Sequence, residues 1–251
     1  IYSGMIPGVV AGDYALRDCQ IDLLALAQHA GVRLLPASVS AINADGRQLM
    51  TTEGDTLDYD VASLDVGSVP ATHGLGGVDA HAIAVKPATR LLDQLPILDQ
   101  ASRSGAGGVV VVGAGAAGVE IVLTLCHRLN HGSHHPVPMV LVTDSKEILP
   151  GFDDATRRAV EAVLRARAIE VRTGCTVQRV DAQGLQLAGG EIIAAQKIIW
   201  ATGAAAFPWL RASPLACDAR GFISINEILQ SVSHPEVFAA GDCATNVADP
   251  N

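Results

Sequence analysis

The stretch that decides the fold lies at residues 105–126, which read GAGGVVVVGAGAAGVEIVLTLC. Val109–Val112 form an uninterrupted β-branched run, which is typical of a parallel strand covered on both faces. The stretch is also long enough to span a membrane, but Glu120 would then lie in hydrocarbon at a considerable free-energy cost. We therefore predict a buried strand, a glycine turn and a helix over Glu120–Leu129.

The glycine turn has the spacing of a dinucleotide-binding motif, GxGxxG, between a strand and a helix. In this motif Gly113 allows the tight turn, Gly115 lets a pyrophosphate approach the backbone, and Gly118 lets the helix pack on the strand. The free N–H groups at the start of the helix attract the phosphates. The alternative is a glycine turn needed only for close packing. The predicted phosphate-binding residues are Gly113, Ala114, Gly115, Ala116 and Gly118.

A second strand is predicted over Met139–Thr143, and it ends at Asp144. An acidic residue in this place binds the ribose hydroxyls of NAD. Asp144 comes later than the usual distance of about 20 residues, because a polar loop at 131–138 intervenes. Its charge would repel a 2′-phosphate, so NAD is favoured. Ser145 and Lys146 could each hold a phosphate, so NADP stays an alternative.

Glu120 is the most informative single residue, because it lies two positions beyond Gly118 in the predicted first turn of the helix. One interpretation is a carboxylate stabilised by the helix dipole. The other places Glu120 near the nicotinamide as a catalytic residue.

Composition excludes several classes of protein. The chain has 251 residues, a net charge of −9 and 49% hydrophobic residues, which suggests one large or two small folded domains. The acidic balance argues against a nucleic-acid partner. Four histidines invite a metal site, but no cysteine or carboxylate joins them at ligand spacing, so we expect a solvated loop and no metal. They are His127, His131, His134 and His135.

The five cysteines lie far apart and form no CxxC pair, which fits a reducing, cytoplasmic location. The opening segment IYSGMIPGVV has no basic n-region, so we do not expect it to be a signal peptide. The chain opens at Ile1 without an initiator methionine, which suggests a fragment.

Strands and helices alternate along the rest of the chain, which indicates an α/β fold. Helices are predicted over Gln20–Ala30, over Asp153–Ala168 and, interrupted by Pro96, over Thr89–Gln100. The order helix, short strand, meander, apolar strand and glycine turn occurs twice, with a period of roughly 135 residues. The predicted short strands are Arg33–Leu35, Ser38–Asn43, Gln48–Thr52, Thr56–Tyr59 and Val61–Val66, and then Glu170–Thr173, Thr176–Val180, Leu185–Leu187, Glu191–Ile193 and Lys197–Ala201.

Three motifs in order, GAGAAGVE, WATG at 200–203 and HPEVFAAGDCA at 234–244, resemble those of the pyridine nucleotide-disulfide oxidoreductases and type II NADH dehydrogenases. The segments YSGMIPG and LDVGSVP look most like the flavoprotein domain fused to some selenide, water dikinases. The resemblance implies two Rossmann-like domains that bind FAD and NAD(P). The FAD domain would be discontinuous, at 1–95 and 203–251, and would lack its first βαβ unit; the NAD(P)H domain would cover 96–202.

The resemblance also implies site residues. Gly241 and Asp242 would hold the ribityl chain of FAD, and Val39 would contact the adenine. A further set matches the turns beside the two nucleotides: Asp65, Val66, Gly67 and Ser68 in the FAD domain, and Thr202 and Gly203 in the NAD domain. The relatives pair the glutamate that matches Glu120 with a lysine, for which Lys86 is the best candidate; an ordinary solvated lysine is the alternative.

Disulfide reductases carry a redox dithiol before this chain's first helix, and YSGMIPGVVAG has no cysteine. The implied activity is hydride transfer from NADH to flavin N5 and then electron transfer to a small acceptor, with a quinone as a candidate. One alternative is a non-catalytic NAD-binding module linked to selenophosphate synthesis. Another is an NAD dehydrogenase without flavin, against which the GD motif at 241–242 and the second glycine turn at Gly67 argue. The resemblance further implies a fused or associated dikinase domain and a membrane-peripheral location for the full-length protein.

Overall fold

A computed structural model describes residues 1–72, 74–103, 107–133 and 135–249, with the side chains of 101–103 left out. The helices are α1 (Ile6–Ala11), α2 (Leu23–Ala30), α3 (Val78–His81), α4 (Ala88–Leu92), α5 (Leu95–Arg103), α6 (Ala116–Asn130), α7 (Asp154–Ala166) and α8 (Pro208–Arg211). Short 3₁₀ turns occur at Ser3–Met5, Leu16–Cys19 and Gly241–Cys243.

The strands follow the same chain order. They are β1 (Val39–Asn43), β2 (Gln48–Thr51), β3 (Thr56–Asp58), β4 (Ala62–Leu64), β5 (Val69–Pro70), β6 (Ala82–Ala84), β7 (Val109–Val112), β8 (Met139–Val142), β9 (Glu170–Arg172), β10 (Val177–Asp181), β11 (Gly184–Leu187), β12 (Ile192–Ala194), β13 (Lys197–Trp200), β14 (Ala204–Ala205), β15 (Ile223–Ile225), β16 (Val237–Ala239) and β17 (Ala244–Asn246).

The described chain divides into two compact units. Unit 1 comprises Ile1–Ile21 and Pro70–Gly203, and unit 2 comprises Asp22–Val69 and the described residues from Ala204 onward. The assignment of the ranges 1–95, 96–202 and 203–251 to particular nucleotides stays a prediction.

Unit 1 is built on a five-stranded parallel sheet in the order β6-β13-β7-β8-β9. All four valines of the central strand β7 are buried, as the β-branched run predicted. Val109 and Val111 pack with helices α5 and α6, whereas Val110 and Val112 pack against the meander β10-β11-β12. A strand covered on both faces has no polar side, which is why its sequence is uniformly apolar. The predicted α/β fold with Rossmann-like topology is confirmed.

Helix α6 begins at Ala116, so the prediction that the helix starts at Glu120 is wrong by four residues. Glu120 therefore lies in the second turn of α6. The small residues of the glycine turn carry no apolar periodicity, so the first helical turn is not visible in the pattern. The helix predicted over Thr89–Gln100 forms as two helices, α4 and α5, and Pro96 is the second residue of α5, because proline fits the first turn of a helix.

Unit 2 contains the antiparallel meander β1-β2-β3 and two short parallel pairs, β4 with β16 and β15 with β17. The same meander occurs in unit 1 as β10-β11-β12. Both meanders carry a register irregularity after the first residue, between Val39 and Ala41 and between Val177 and Arg179. The two units thus share the meander and its register irregularity, which are one part of the arrangement that the predicted duplication requires.

The predicted strand Arg33–Leu35 is not formed. The corresponding segment of unit 1 is β9, which is a strand because it pairs with β8. A strand needs a partner for its backbone groups, and none of the described residues provides one for Arg33–Leu35. The leucines of the preceding helix α2, Leu23, Leu24 and Leu26, are exposed as well.

Within the described ranges, no helix is both long and apolar enough to cross a membrane.

Candidate functional site

The glycine turn connects β7 to α6 in a conformation that only glycine allows at two positions. Gly113 has φ +105°, and a Cβ there would come within 2.9 Å of the Thr202 nitrogen. A Cβ on Gly118 would overlap the carbonyl oxygen of Gly113. The fold itself therefore requires these two glycines, as the alternative of a turn needed for close packing predicts.

Gly115 differs from its two neighbours in the motif. It caps α6 with φ −70°, a value any residue adopts, and a Cβ there would meet nothing within 4 Å. The fold therefore does not require a glycine at this position. The space beside Gly115, at the N–H groups of the exposed Ala116 and Ala117, is available to an anion.

The other residues predicted in unit 1 lie at the same edge of the sheet. Asp144 follows β8 with one residue between, Thr202 and Gly203 follow β13, and Lys86 follows β6. Because the sheet is parallel, all of these residues follow the carboxyl ends of their strands. The chain runs from β7 outward to β8 and β9 and then returns to the other side of β7 with β13. Ligands of open α/β sheets bind at such an edge.

Asp144 is exposed, and a tight turn holds its neighbours. The Thr143 hydroxyl accepts a hydrogen bond from the Ser145 N–H at 3.2 Å, and the Ser145 carbonyl accepts one from the Gly174 N–H at 2.7 Å. The Asp144 carboxylate is thus presented to solvent from a fixed backbone. Lys146, two residues further on, is also exposed.

Lys86 and Glu120 line the same cavity, of about 440 Å³. The rest of its lining is mostly apolar and includes Ile6, Val85 and Ile121. The Val85 N–H donates to the Trp200 carbonyl at 3.1 Å, which attaches the segment before Lys86 to the end of β13. The tertiary structure thus brings the two predicted catalytic residues to one pocket beside the glycine turn.

Thr202 has a structural contact that the sequence did not indicate. Its hydroxyl donates to the Ala71 carbonyl at 2.6 Å, and the indole N–H of the buried Trp200 donates to the same oxygen at 3.0 Å. The Gly203 carbonyl accepts from the Ala71 N–H at 2.7 Å. The Thr202 side chain therefore fixes the chain, and Gly203, which is exposed, leaves open space beside it.

In unit 2 the predicted FAD residues form two neighbouring turns. Gly241 has φ +65°, and a Cβ there would lie 2.6 Å from Asp65 Oδ1. The Ser68 hydroxyl donates to Asp242 Oδ2 at 3.1 Å. Gly67 is also left-handed, at φ +72°, with nothing within 4 Å of a Cβ. Val39 lies elsewhere in unit 2, at the start of β1, and is half-buried.

Cys243 follows these turns and is buried. Its thiol donates to the Ala240 carbonyl at 3.1 Å, and burial raises the pKa of the thiol. A raised pKa keeps the thiol neutral and poorly nucleophilic at pH 7. Cys19 and Cys126 are buried as well.

No group of histidine, cysteine and acidic residues suited to a metal ion occurs in the described part of the chain. His127 lies in the last turn of α6 and His131 directly follows the helix, with their rings 5.0 Å apart. His134 lies outside the described residues.

Sequence reasoning missed the loop between Asp144 and α7. Arg157 reaches into this loop from α7, and Leu149 in the loop contacts the glycine turn. The only sequence signal was the cap of α7, where Asp153 accepts hydrogen bonds from the N–H groups of Ala155 and Thr156.

A further cavity of about 510 Å³ lies at the opposite edge of the sheet, at the amino ends of β6 and β13. Its lining includes Arg90, Asp93 and Lys197. It is far from the glycine turn along the strands, so we do not assign the dinucleotide to it.

An open parallel sheet with a GxGxxG turn at its carboxyl edge defines a dinucleotide-binding protein. Residues 27–250 match the model of the family described as pyridine nucleotide-disulphide oxidoreductase, and the chain belongs to that family.

The chain is 33% identical over 237 residues to the NADH dehydrogenase-like protein MT1860 of Mycobacterium tuberculosis, with 91% of the chain and 59% of that protein covered. It is 26% identical to the demethylphylloquinone reductase NdbB of Synechocystis, with 89% and 56% covered. The structure of NDH2 from Plasmodium falciparum in complex with NADH matches with a TM-score of 0.83 at 18% identity, covering 98% of the chain and 57% of that structure. The chain thus spans less than two thirds of the length of these proteins.

Proposed function

We propose that this chain is the NADH-binding part of an FAD-dependent NAD(P)H oxidoreductase. The observation that carries the proposal is the carboxyl edge of the unit 1 sheet. There the glycine turn, the exposed carboxylate of Asp144 and the cavity shared by Lys86 and Glu120 occur together. These three features suit the three parts of a dinucleotide.

The pyrophosphate would lie beside Gly115, where the backbone is open and the N–H groups of α6 begin. Asp144 would accept hydrogen bonds from the adenosine ribose. The nicotinamide would enter the cavity lined by Lys86 and Glu120, where apolar walls limit water. The exposed Lys146 would pair with the 2′-phosphate of NADPH, so NADPH is a second candidate for the hydride donor. The negative charge of Asp144 favours NADH.

Unit 2 would hold part of FAD. Gly241 has a left-handed backbone and no room for a Cβ beside Asp65, and the Ser68 contact orients the Asp242 carboxylate for a sugar hydroxyl. Asp65 and Gly67 would complete the turn, and Val39 would contact the adenine. When bound, FAD supplies two-electron chemistry, accepting hydride from the nicotinamide and reducing an acceptor. The protein contributes position and electrostatics.

We propose a quinone as the acceptor, since relatives such as NdbB are named for quinone substrates. The buried, neutral thiol of Cys243 supports transfer without a redox dithiol. Such an acceptor also fits peripheral association with a membrane and a cytoplasmic location for the protein.

A non-catalytic NAD-binding module tied to a selenide, water dikinase is the second candidate. It rests on the segments YSGMIPG and LDVGSVP. The relatives reported above carry the names NADH dehydrogenase-like protein and demethylphylloquinone reductase, so we favour the redox function.

The test is titration of the full chain with NADH and NADPH, followed by the fluorescence of the nicotinamide. We expect saturable binding that is tighter for NADH. Reconstitution with FAD would then give a flavin band near ~450 nm that NADH bleaches. Absence of saturable binding of either nucleotide would refute the proposal. Binding without bleaching in an FAD-loaded protein would favour the non-catalytic module.

A further inference from the structure

The loop between β8 and α7, residues 144–153, contacts the glycine turn but is not part of the GxGxxG motif. It starts at Asp144, the proposed ribose ligand, and its middle is buried: Ile148 is 1% exposed and Leu149 is 4% exposed. Both side chains belong to the helical core of unit 1. The loop is therefore an ordered structure with an apolar base.

Leu149 joins this loop to the glycine turn. Its N–H donates to the Ala114 carbonyl at 2.7 Å. Leu149 has φ +50°, a left-handed conformation that is unfavourable for a residue other than glycine, asparagine or aspartate. The surrounding contacts must hold it there. Ala114 lies between the two glycines that open the phosphate-binding turn, so a change in the loop reaches that turn directly.

Arg157 provides those contacts. Its Nε donates to the Ile148 carbonyl at 3.2 Å, and its Nη2 donates to the Phe152 carbonyl at 3.0 Å. These two carbonyls lie on either side of Leu149. The Arg157 side chain is 14% exposed, so the loop largely encloses it. A planar guanidinium can satisfy several acceptors in fixed directions, which lysine cannot.

The charge of Arg157 also has partners. Nη2 lies 2.8 Å from a Glu147 carboxylate oxygen, and Nη1 lies 2.6 Å from Asp154 Oδ1. Glu147 is only three residues from Asp144. The ion pair ties the Glu147 carboxylate to the Arg157 guanidinium and offsets its negative charge.

We infer that Arg157 is a positioning residue for the dinucleotide, which fixes the 144–153 loop and, through Leu149, the glycine turn. This inference rests on the proposed function. Arg157 does not touch the nucleotide; it acts through the backbone of Ile148 and Phe152.

The experiment measures NADH binding to the full chain and amide hydrogen exchange at Leu149. Arg157→Ala should raise the Kd for NADH about 10-fold or more, as a factor of ten corresponds to ~1.4 kcal/mol. It should also speed exchange of the Leu149 N–H. Arg157→Lys keeps the charge but cannot span both carbonyls, so its Kd should lie between those of the wild type and the alanine variant. Arg158→Ala, a change of the adjacent exposed arginine, is the matched control and should leave both readouts unchanged.

The double variant Arg157→Ala with Glu147→Gln separates position from charge. We expect its NADH affinity to stay as weak as that of Arg157→Ala. Recovery of wild-type affinity in the double variant would overturn the positioning role, because Arg157 would then only neutralise Glu147. Unchanged affinity in both Arg157 variants would also overturn it. If the wild-type chain binds neither nucleotide, the proposed function fails and the inference about Arg157 is judged by hydrogen exchange alone. Faster exchange of the Leu149 N–H in Arg157→Ala would then still show that Arg157 fixes the 144–153 loop.

Discussion

Gly118 packs so closely on the Gly113 carbonyl oxygen that a single methyl group would overlap it. The contact joins the first turn of α6 to the end of β7 and lets the helix start directly above the strand. Gly113 and Gly118, five residues apart, thus pack directly against each other. Gly115, between them in the sequence, faces open space. The motif therefore contains a structural part and a ligand-binding part.

The structural part predicts that Gly118→Ala destabilises the fold. The methyl group would push α6 away from the sheet, and overpacking of this kind costs about 1–3 kcal/mol. Urea denaturation followed by circular dichroism measures the loss. An unchanged midpoint would show that the backbone relaxes without cost.

The ligand-binding part predicts the opposite result for Gly115→Ala. The fold has room for the methyl group, so stability should change by less than about 0.5 kcal/mol. The methyl group would occupy the approach of the pyrophosphate, so we expect NADH to bind about 10-fold more weakly or worse, or ~1.4 kcal/mol. Titration of the Gly115→Ala and Gly118→Ala variants with NADH, beside their urea denaturation, checks this pair of predictions. Equal binding by Gly115→Ala and the wild type would place the phosphates elsewhere.

Asp144→Ala should change the preference between the two nucleotides. Loss of hydrogen bonds to a charged group weakens NADH binding by about 10-fold or more. Binding of NADPH should improve, because the repulsion of its 2′-phosphate is removed and the exposed Lys146 remains. The measurement is the ratio of the two Kd values. Asp79→Asn, a change at an exposed site on α3, serves as the control, and the same ratio in both variants would argue against the ribose contact.

Glu120→Ala should affect hydride transfer more than stability. Glu120 is exposed on α6, so its removal should alter the free energy of unfolding by less than about 0.5 kcal/mol. If the side chain orients the nicotinamide, turnover of the FAD-loaded protein at saturating NADH should fall by about 10- to 100-fold. Stopped-flow measurement of flavin reduction separates this step from release of product. Equal rates in the full-length variant would reject the role of Glu120.

Much of unit 1 was predictable because its signals are local. Val109–Val112 is a strand in both the prediction and the structure, and Asp153, where the helix over Asp153–Ala168 was predicted to begin, is the cap of α7. The predicted strand Arg33–Leu35 failed for the opposite reason. Its sequence suits a strand, but strand formation depends on a neighbouring strand, and none is described beside it.

The sequence alone determined the glycine turn, because the three glycines and the apolar strand before them are adjacent in the chain and their backbone requirements are local. Only the tertiary structure decided that Lys86 and Glu120 line one cavity, and that Arg157 holds the loop beside the glycine turn. These side chains come from separate strands and helices. Their meeting depends on the strand order of the parallel sheet, which brings distant carboxyl ends to one edge.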